Sequence, residues 1–184
     1  MTAPPARRRE TFAERRARRA EVDDPELVLN AAVRFLEARA RSVAEVRRRL
    51  RDAGYRAVLV DGAIARLLDL GMLDDEAFAR GWVESRDRAR PRGEIALRRE
   101  LALKGVDRIV VDGILEERRS EAGEAGSADR DADAADRLIE KHSRTLARVP
   151  DPRVRRQRAY ALLARNGFDP DTCREAVARL APRT

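Results

Sequence analysis

Aromatic side chains are scarce in this chain, at 4% of residues, and there is one cysteine, one histidine and no long apolar run. With so few large rings, any core must be assembled from Ala, Leu, Val and Ile on narrow faces. A length of 184 residues therefore suits several small helical modules better than one thick globule. The lone Cys173 excludes an intrachain disulfide, and His142 has no metal-ligand spacing around it. There is no phosphate-binding glycine loop and no Gly-x-Ser-x-Gly elbow. No catalytic residue, no cofactor and no metal site is expected, and the chain reads as a non-enzyme. No stretch approaches the roughly 18 apolar residues of a membrane span, and the N-terminus carries no apolar signal region. These absences describe a soluble, cytoplasmic protein without a membrane partner.

Lysine is nearly missing as well. Of the 40 cationic side chains only Lys104 and Lys141 are lysines, and against 33 carboxylates the formal charge is +7. An excess of that sign favours an anionic partner, most commonly nucleic acid, although GC-rich coding would also inflate arginine.

Residues 1–24 form a basic arm with Arg7, Arg8, Arg9, Arg15, Arg16, Arg18 and Arg19 and little that is apolar, expected to be disordered or a helix that frays in isolation. Order begins at Asp24-Pro25, an acidic cap before proline at the first helical position. Val28, Ala31, Ala32, Phe35 and Leu36 then recur at three- and four-residue steps. Ser42 and Glu45 make a capping box for a second helix with Val43, Val46 and Leu50 inward, and Gly54 supplies its left-handed stop. A third helix places Val60, Ile64, Leu67 and Leu68 inward and ends near Gly71. Residues 25–72 thus make one three-helix unit.

The plan restarts over residues 73–119. Asp74 and Asp75 precede a helix with Phe78, Ala79, Trp82 and Val83 on its inner face, and helix capping accounts for the acid pair better than acid-base chemistry does. After Pro91-Arg92-Gly93 a second helix runs to Gly105, and a third follows Asp107. An acidic linker spans 120–131, and a third unit covers 132–184. Aligning Gly54 on Gly105 pairs Val46 with Leu97, Leu50 with Leu101, Val60 with Val111 and Ile64 with Leu115. Aligning Gly167 on Gly105 adds Ala159, Leu163, Cys173 and Val177 in the same order, so Cys173 is read as a core residue. The middle unit's second helix also carries Ile95, Ala96, Ala102 and Leu103 away from its core stripe, so a second covered face is expected.

Three strings carry a family resemblance: Ser-x-x-Glu-aliphatic-x-x-basic-Leu ending at Gly54, Gly-Met-Leu-Asp-Asp-x-x-Phe-Ala at 71–79, and Gly-x-x-x-Leu-x-x-Glu-Leu-x-x-Lys-Gly-Val at 93–106. In order and spacing the chain resembles the RecX regulatory proteins, well over 27–118 and weakly over 132–181. The resemblance implies an all-α protein of three tandem three-helix units forming an elongated, curved modular array. It implies a protein that binds the RecA recombinase filament on single-stranded DNA, in the filament's helical groove, and restrains growth, ATP hydrolysis, strand exchange and the coprotease function; a monomer is expected. Double-stranded DNA is a further candidate partner.

Candidate filament or DNA contacts are the arginines lying off the apolar stripes. They are Arg47, Arg48 and Arg51 in the first unit, then Arg86, Arg88, Arg90, Arg92, Arg98, Arg99 and Lys104 in the second. In the third they are Lys141, Arg144, Arg153, Arg155, Arg156, Arg158 and Arg165, with Asp151 the only acid between 141 and 165. Trp82 could stack on a base, but its place in an apolar stripe favours packing. Two other readings stay open: a helix-turn-helix DNA-binding protein and a helical scaffold that binds only protein.

Overall fold

The computed structural model describes residues 10–124 and 130–180, with side chains undescribed from 121 to 124, and every regular element in it is an α-helix. In chain order these are α1 (Phe12–Ala20), α2 (Pro25–Leu36), α3 (Val43–Ala53), α4 (Ala57–Asp69), α5 (Asp75–Ala89), α6 (Glu94–Leu103), α7 (Arg108–Glu124), α8 (Arg130–Lys141), α9 (Ser143–Ala147), α10 (Pro152–Arg165) and α11 (Pro170–Ala178). Two compact units result, Met1–Asp74 and Asp75–Thr184.

In the first unit, the Asp24 carboxylate accepts from the Glu26 N–H at 2.9 Å ahead of Pro25. Ser42 and Glu45 close the α3 capping box, and Gly54 ends that helix at φ 107°. Val28, Ala32, Val46, Leu50, Val60, Ala63, Ile64 and Leu67 are buried together. Leu68 departs from the expected inward face of α4. It is 46% exposed, because Ala63 and Leu67 fill the arc facing α2 and α3. Residues 1–9 of the basic arm lie outside the described residues. From Phe12 the arm is a helix with its own capping box, Thr11 and Glu14. It is also tied down: a Cβ on Gly54 would stand 2.6 Å from the Arg16 backbone, and the Arg19 guanidinium lies 5.7 Å from the Tyr55 ring centre.

The second unit holds two clusters. Phe78, Ala79, Val83, Leu97, Leu101, Val111, Ile114 and Leu115 form one, from α5 to α7. Ala134, Ala135, Leu138, Ile139, Leu146, Ala159, Leu163, Phe168, Cys173, Ala176 and Val177 form the other, from α8 to α11. All the core positions paired by aligning Gly54, Gly105 and Gly167 are buried, and all three glycines have positive φ. The last cluster has the short α9 in addition to three longer helices. Of the segment expected as a linker, the start belongs to α7 and the end to α8, while residues 125–129 lie outside the described residues.

The two clusters of this unit meet at backbone distance. The Gly93 N–H donates to the Asn166 carbonyl at 3.1 Å, and a Cβ built on Gly93 would stand 2.2 Å from the Gly167 carbonyl oxygen. Ala96 covers the same spot, with its Cβ 2.4 Å from where a Cβ on Gly167 would sit. Of the second apolar face expected on α6, Ala96 is therefore covered within the unit, whereas Ile95 and Leu103 are 57% and 70% exposed.

Cys173 is fully buried, with its Sγ 3.6 Å from the Phe168 carbonyl, and burial together with the Asp169 carboxylate pushes the thiol pKa up. The thiol should thus stay protonated at neutral pH and react with Ellman's reagent only as fast as the fold opens; immediate labelling of the native protein would contradict this. Gly93→Ala, which introduces no left-handed strain, should still cost about 1–3 kcal/mol in urea unfolding through overpacking alone.

Candidate functional site

Helix ends and internal ion pairs decide which of the candidate cations face outward uncompensated. In α5 and α6 most are engaged. The Glu100 carboxylate accepts from the Trp82 indole N–H at 2.9 Å and from Arg86 Nε at 2.7 Å, and Arg92 Nε lies 3.2 Å from it. Arg92 also donates to the Asn166 side chain. Arg98 pairs with Glu94 at 2.8 Å and with Asp112. Trp82 is half-buried, with the Arg86 guanidinium 4.1 Å and Lys104 Nζ 4.9 Å from its ring centre. The Arg86 guanidinium already lies over the ring, which also packs beside Phe78 at 6.0 Å. In α3, Arg47 and Arg51 both reach Asp61, at 3.3 and 3.9 Å.

Other candidates are exposed and, among the described residues, take part in no ion pair: Arg48, Arg88, Arg90 and Arg99. Lys141 donates to the Ala89 carbonyl at 3.1 Å. The third module concentrates the uncompensated charge. Arg144, Arg153, Arg156, Arg158 and Arg165 are all exposed without a carboxylate partner among the described residues. The nearby Asp151 is spent on the α10 N-terminus, where it accepts from the Arg153 N–H at 2.7 Å. Arg158 and Arg165 line a cleft of about 220 Å³ with His142, Thr145, Leu146 and Leu162. Arg155 is the exception among the candidates. It is only 9% exposed, because its position on α10 falls four residues before Ala159 on the buried stripe, so it offers little surface to a phosphate.

The most deeply buried cation among the described residues was not among the candidates. Arg118 on α7 is 6% exposed and donates to both oxygens of Asp87 on α5 at 2.9 Å and to Asp131 on α8 at 2.6 Å. Asp131 in turn accepts from the Glu94 N–H that opens α6, at 2.9 Å. Burial alone would lower the Arg118 pKa, but the hydrogen bonds and charges of the two aspartates outweigh it and the net shift is upward. The signal was present in the sequence: Arg118 falls in step with Val111, Ile114 and Leu115 on one helical stripe, where a lone cation needs a buried counter-charge. Beside it a cavity of about 420 Å³ is lined by Arg80, Arg88, Arg130 and Arg137 with Glu84 and Glu117. Among the described residues no cluster of three or more His, Cys, Asp or Glu could hold a metal, and no helix is long and apolar enough to cross a membrane.

This modular plan matches three consecutive family models: RecX, first three-helix domain over 29–67, RecX, second three-helix domain over 74–115, and RecX, third three-helix domain over 129–177. The chain belongs to the RecX family. A regulatory protein RecX of Mycobacterium avium is 38% identical over 81% of this chain and 82% of its own length. One from Chlorobium phaeobacteroides is 30% identical over 88% and 97%. The fold is shared with the crystal structure of RecX from Lactobacillus salivarius, at a TM-score of 0.71 and 21% identity over 86% of this chain and 97% of that one. This RecX-family chain is accordingly a regulatory protein.

The Arg118 pairing can be tested in isolation, since Trp82 is the only tryptophan and lies in the same compact unit. Arg118→Ala should lower the urea stability reported by Trp82 fluorescence by about 3–5 kcal/mol, because two carboxylates lose their cation. Asp87→Asn should cost distinctly less. Equal, small losses for both would show the pairs to be dispensable.

Proposed function

We propose that this RecX-family regulator acts by binding RecA filaments on single-stranded DNA within the helical groove, limiting their growth, ATPase, strand exchange and coprotease activity. It would do so as a cytoplasmic monomer that also has affinity for DNA. The observation that carries the reading is the succession of three RecX modules, of which the third bears arginines with no internal counter-charge among the described residues. A filament groove presents phosphates and protein surface together. Arginines already paired within a module gain little from a phosphate, whereas Arg153, Arg156 and Arg158 gain a charge-assisted hydrogen bond and release counterions.

Substoichiometric amounts of the protein should lower RecA ATPase on single-stranded DNA and shorten the filaments; unchanged turnover and length would overturn the reading. Reversing Arg153, Arg156 and Arg158 to Glu should weaken binding with helicity intact and flatten its dependence on salt, by about one unit of log–log slope for each phosphate that is no longer neutralised. Arg155→Glu should instead lower stability, since it places an acid in a buried position.

A further inference from the structure

The internal repeat preserves more than the core. Aligned on Gly54 and Gly105, the outer faces of the first two modules coincide as well. Arg47 matches Arg98 and Asp61 matches Asp112, and each pair forms the same bridge between the module's second and third helices, at 3.3 Å for Arg47 and Asp61. Such a bridge is worth little for stability at an exposed position, so its repetition is not explained by folding alone. Next to it, Arg48 matches Arg99, and both are exposed and without an ion-pair partner among the described residues. One turn before each aspartate on the third helix, Val58 matches Ile109, and these β-branched side chains are 71% and 82% exposed. A shallow groove accompanies each face, about 290 Å³ beside Ala44, Arg48 and Arg51 and about 760 Å³ beside Ile95, Arg99 and Ala102.

An isolated exposed valine or isoleucine needs no explanation. The same exposed apolar residue and the same unpaired arginine, on two helices joined by the same bridge, in two modules, do. The third module lacks the face altogether. At the matching positions it has Tyr160 and Arg174 in place of the bridge, Ala161 in place of the arginine and Asp171 in place of the apolar residue, and Arg174 pairs with Asp171. The face is therefore not a by-product of building a three-helix module.

We propose that these two faces are protein-docking surfaces, each taking the same element of a repeating partner: a carboxylate together with an apolar side chain, presented once by each subunit. Charge sets the choice of occupant. Arg48 and Arg99 supply an uncompensated cation for the carboxylate, and Val58 and Ile109 supply an apolar surface that a phosphate backbone has no use for. The division of labour is then that modules one and two hold protein while the arginines of α10 face nucleic acid. This rests on the filament reading above, with subunits of the filament as the repeating partner.

The test uses the full chain and RecA filaments on single-stranded DNA, with bare single-stranded DNA as the parallel ligand. Val58→Ser and Ile109→Ser should each weaken filament binding by roughly fivefold, and the double variant by roughly the product of the two losses, since the sites are separate. Affinity for bare DNA should stay within about twofold for these serine variants, whose charge is unchanged. Arg48→Glu and Arg99→Glu should lose more on the filament than on bare DNA. Circular dichroism identical to the parent confirms that the exposed substitutions leave the fold intact. Wild-type affinity of the double serine variant for filaments overturns the proposal, as do equal losses of the arginine variants on both ligands, which would assign the faces to DNA. Failure of the parent protein to bind filaments at all removes the filament reading and this one with it, and so is told apart from failure of the variants alone.

Discussion

Each module closes on a glycine that only glycine can occupy cheaply. At Gly54, Gly105 and Gly167 the backbone enters the left-handed region, with φ of 107°, 76° and 80°. That reversal turns the chain so that the next helix packs on the one just ended. The residues before it, Leu50, Leu101 and Leu163, and those after it, Val60, Val111 and Cys173, then meet in the interior. With few rings to fill space, burial depends on this repeated geometry more than on any large side chain. Trp82 itself stays at the rim, its indole N–H committed to Glu100.

Charge is sorted by the same packing. Side-chain oxygens at helix starts serve the backbone: Ser42 with Glu45, Asp107, Asp151 and Asp169 all accept from N–H groups that would otherwise be orphaned. Burial by itself would raise the Asp169 pKa, but hydrogen bonds from the Thr172 hydroxyl and the Thr172 and Asp171 amides bring it below the usual range. The stabilisation it confers is thus present above the ordinary aspartate pKa and fades as the pH falls through the lowered value. Other carboxylates neutralise arginines between helices, as Glu100 and Asp112 do, and what remains uncompensated among the described residues is a subset of the arginines, dense along α10.

Within the second compact unit the two helical clusters are joined by unlike means. Gly93 and Gly167 let two backbones approach, while Arg118 holds Asp87 and Asp131 from different clusters. The contact between glycines is permissive, and the buried triad is demanding, since any misplacement leaves a charge unpaired at low dielectric. Their combination selects one arrangement of α5–α7 against α8–α11.

Helix positions, caps, the left-handed glycines and the repeated core were legible in the sequence because each follows from local chemistry: an apolar period, a side-chain oxygen before a helix, or a glycine after one. Leu68 and Arg155 were misplaced because a helical wheel gives the angle of a residue but not the width of the arc its neighbours cover. The ordering of α1 was not legible either, since its anchor is the approach of Arg16 to Gly54, distant in sequence. The sequence by itself determined an all-helical, modular, cation-rich RecX-family protein, because periodicity, capping and motif order are properties of short segments. Only the tertiary structure decided which arginines are spent on internal carboxylates and which, among the described residues, stay exposed without one. That sorting depends on which side chains come within a few ångströms across helices, and no local pattern encodes such distances.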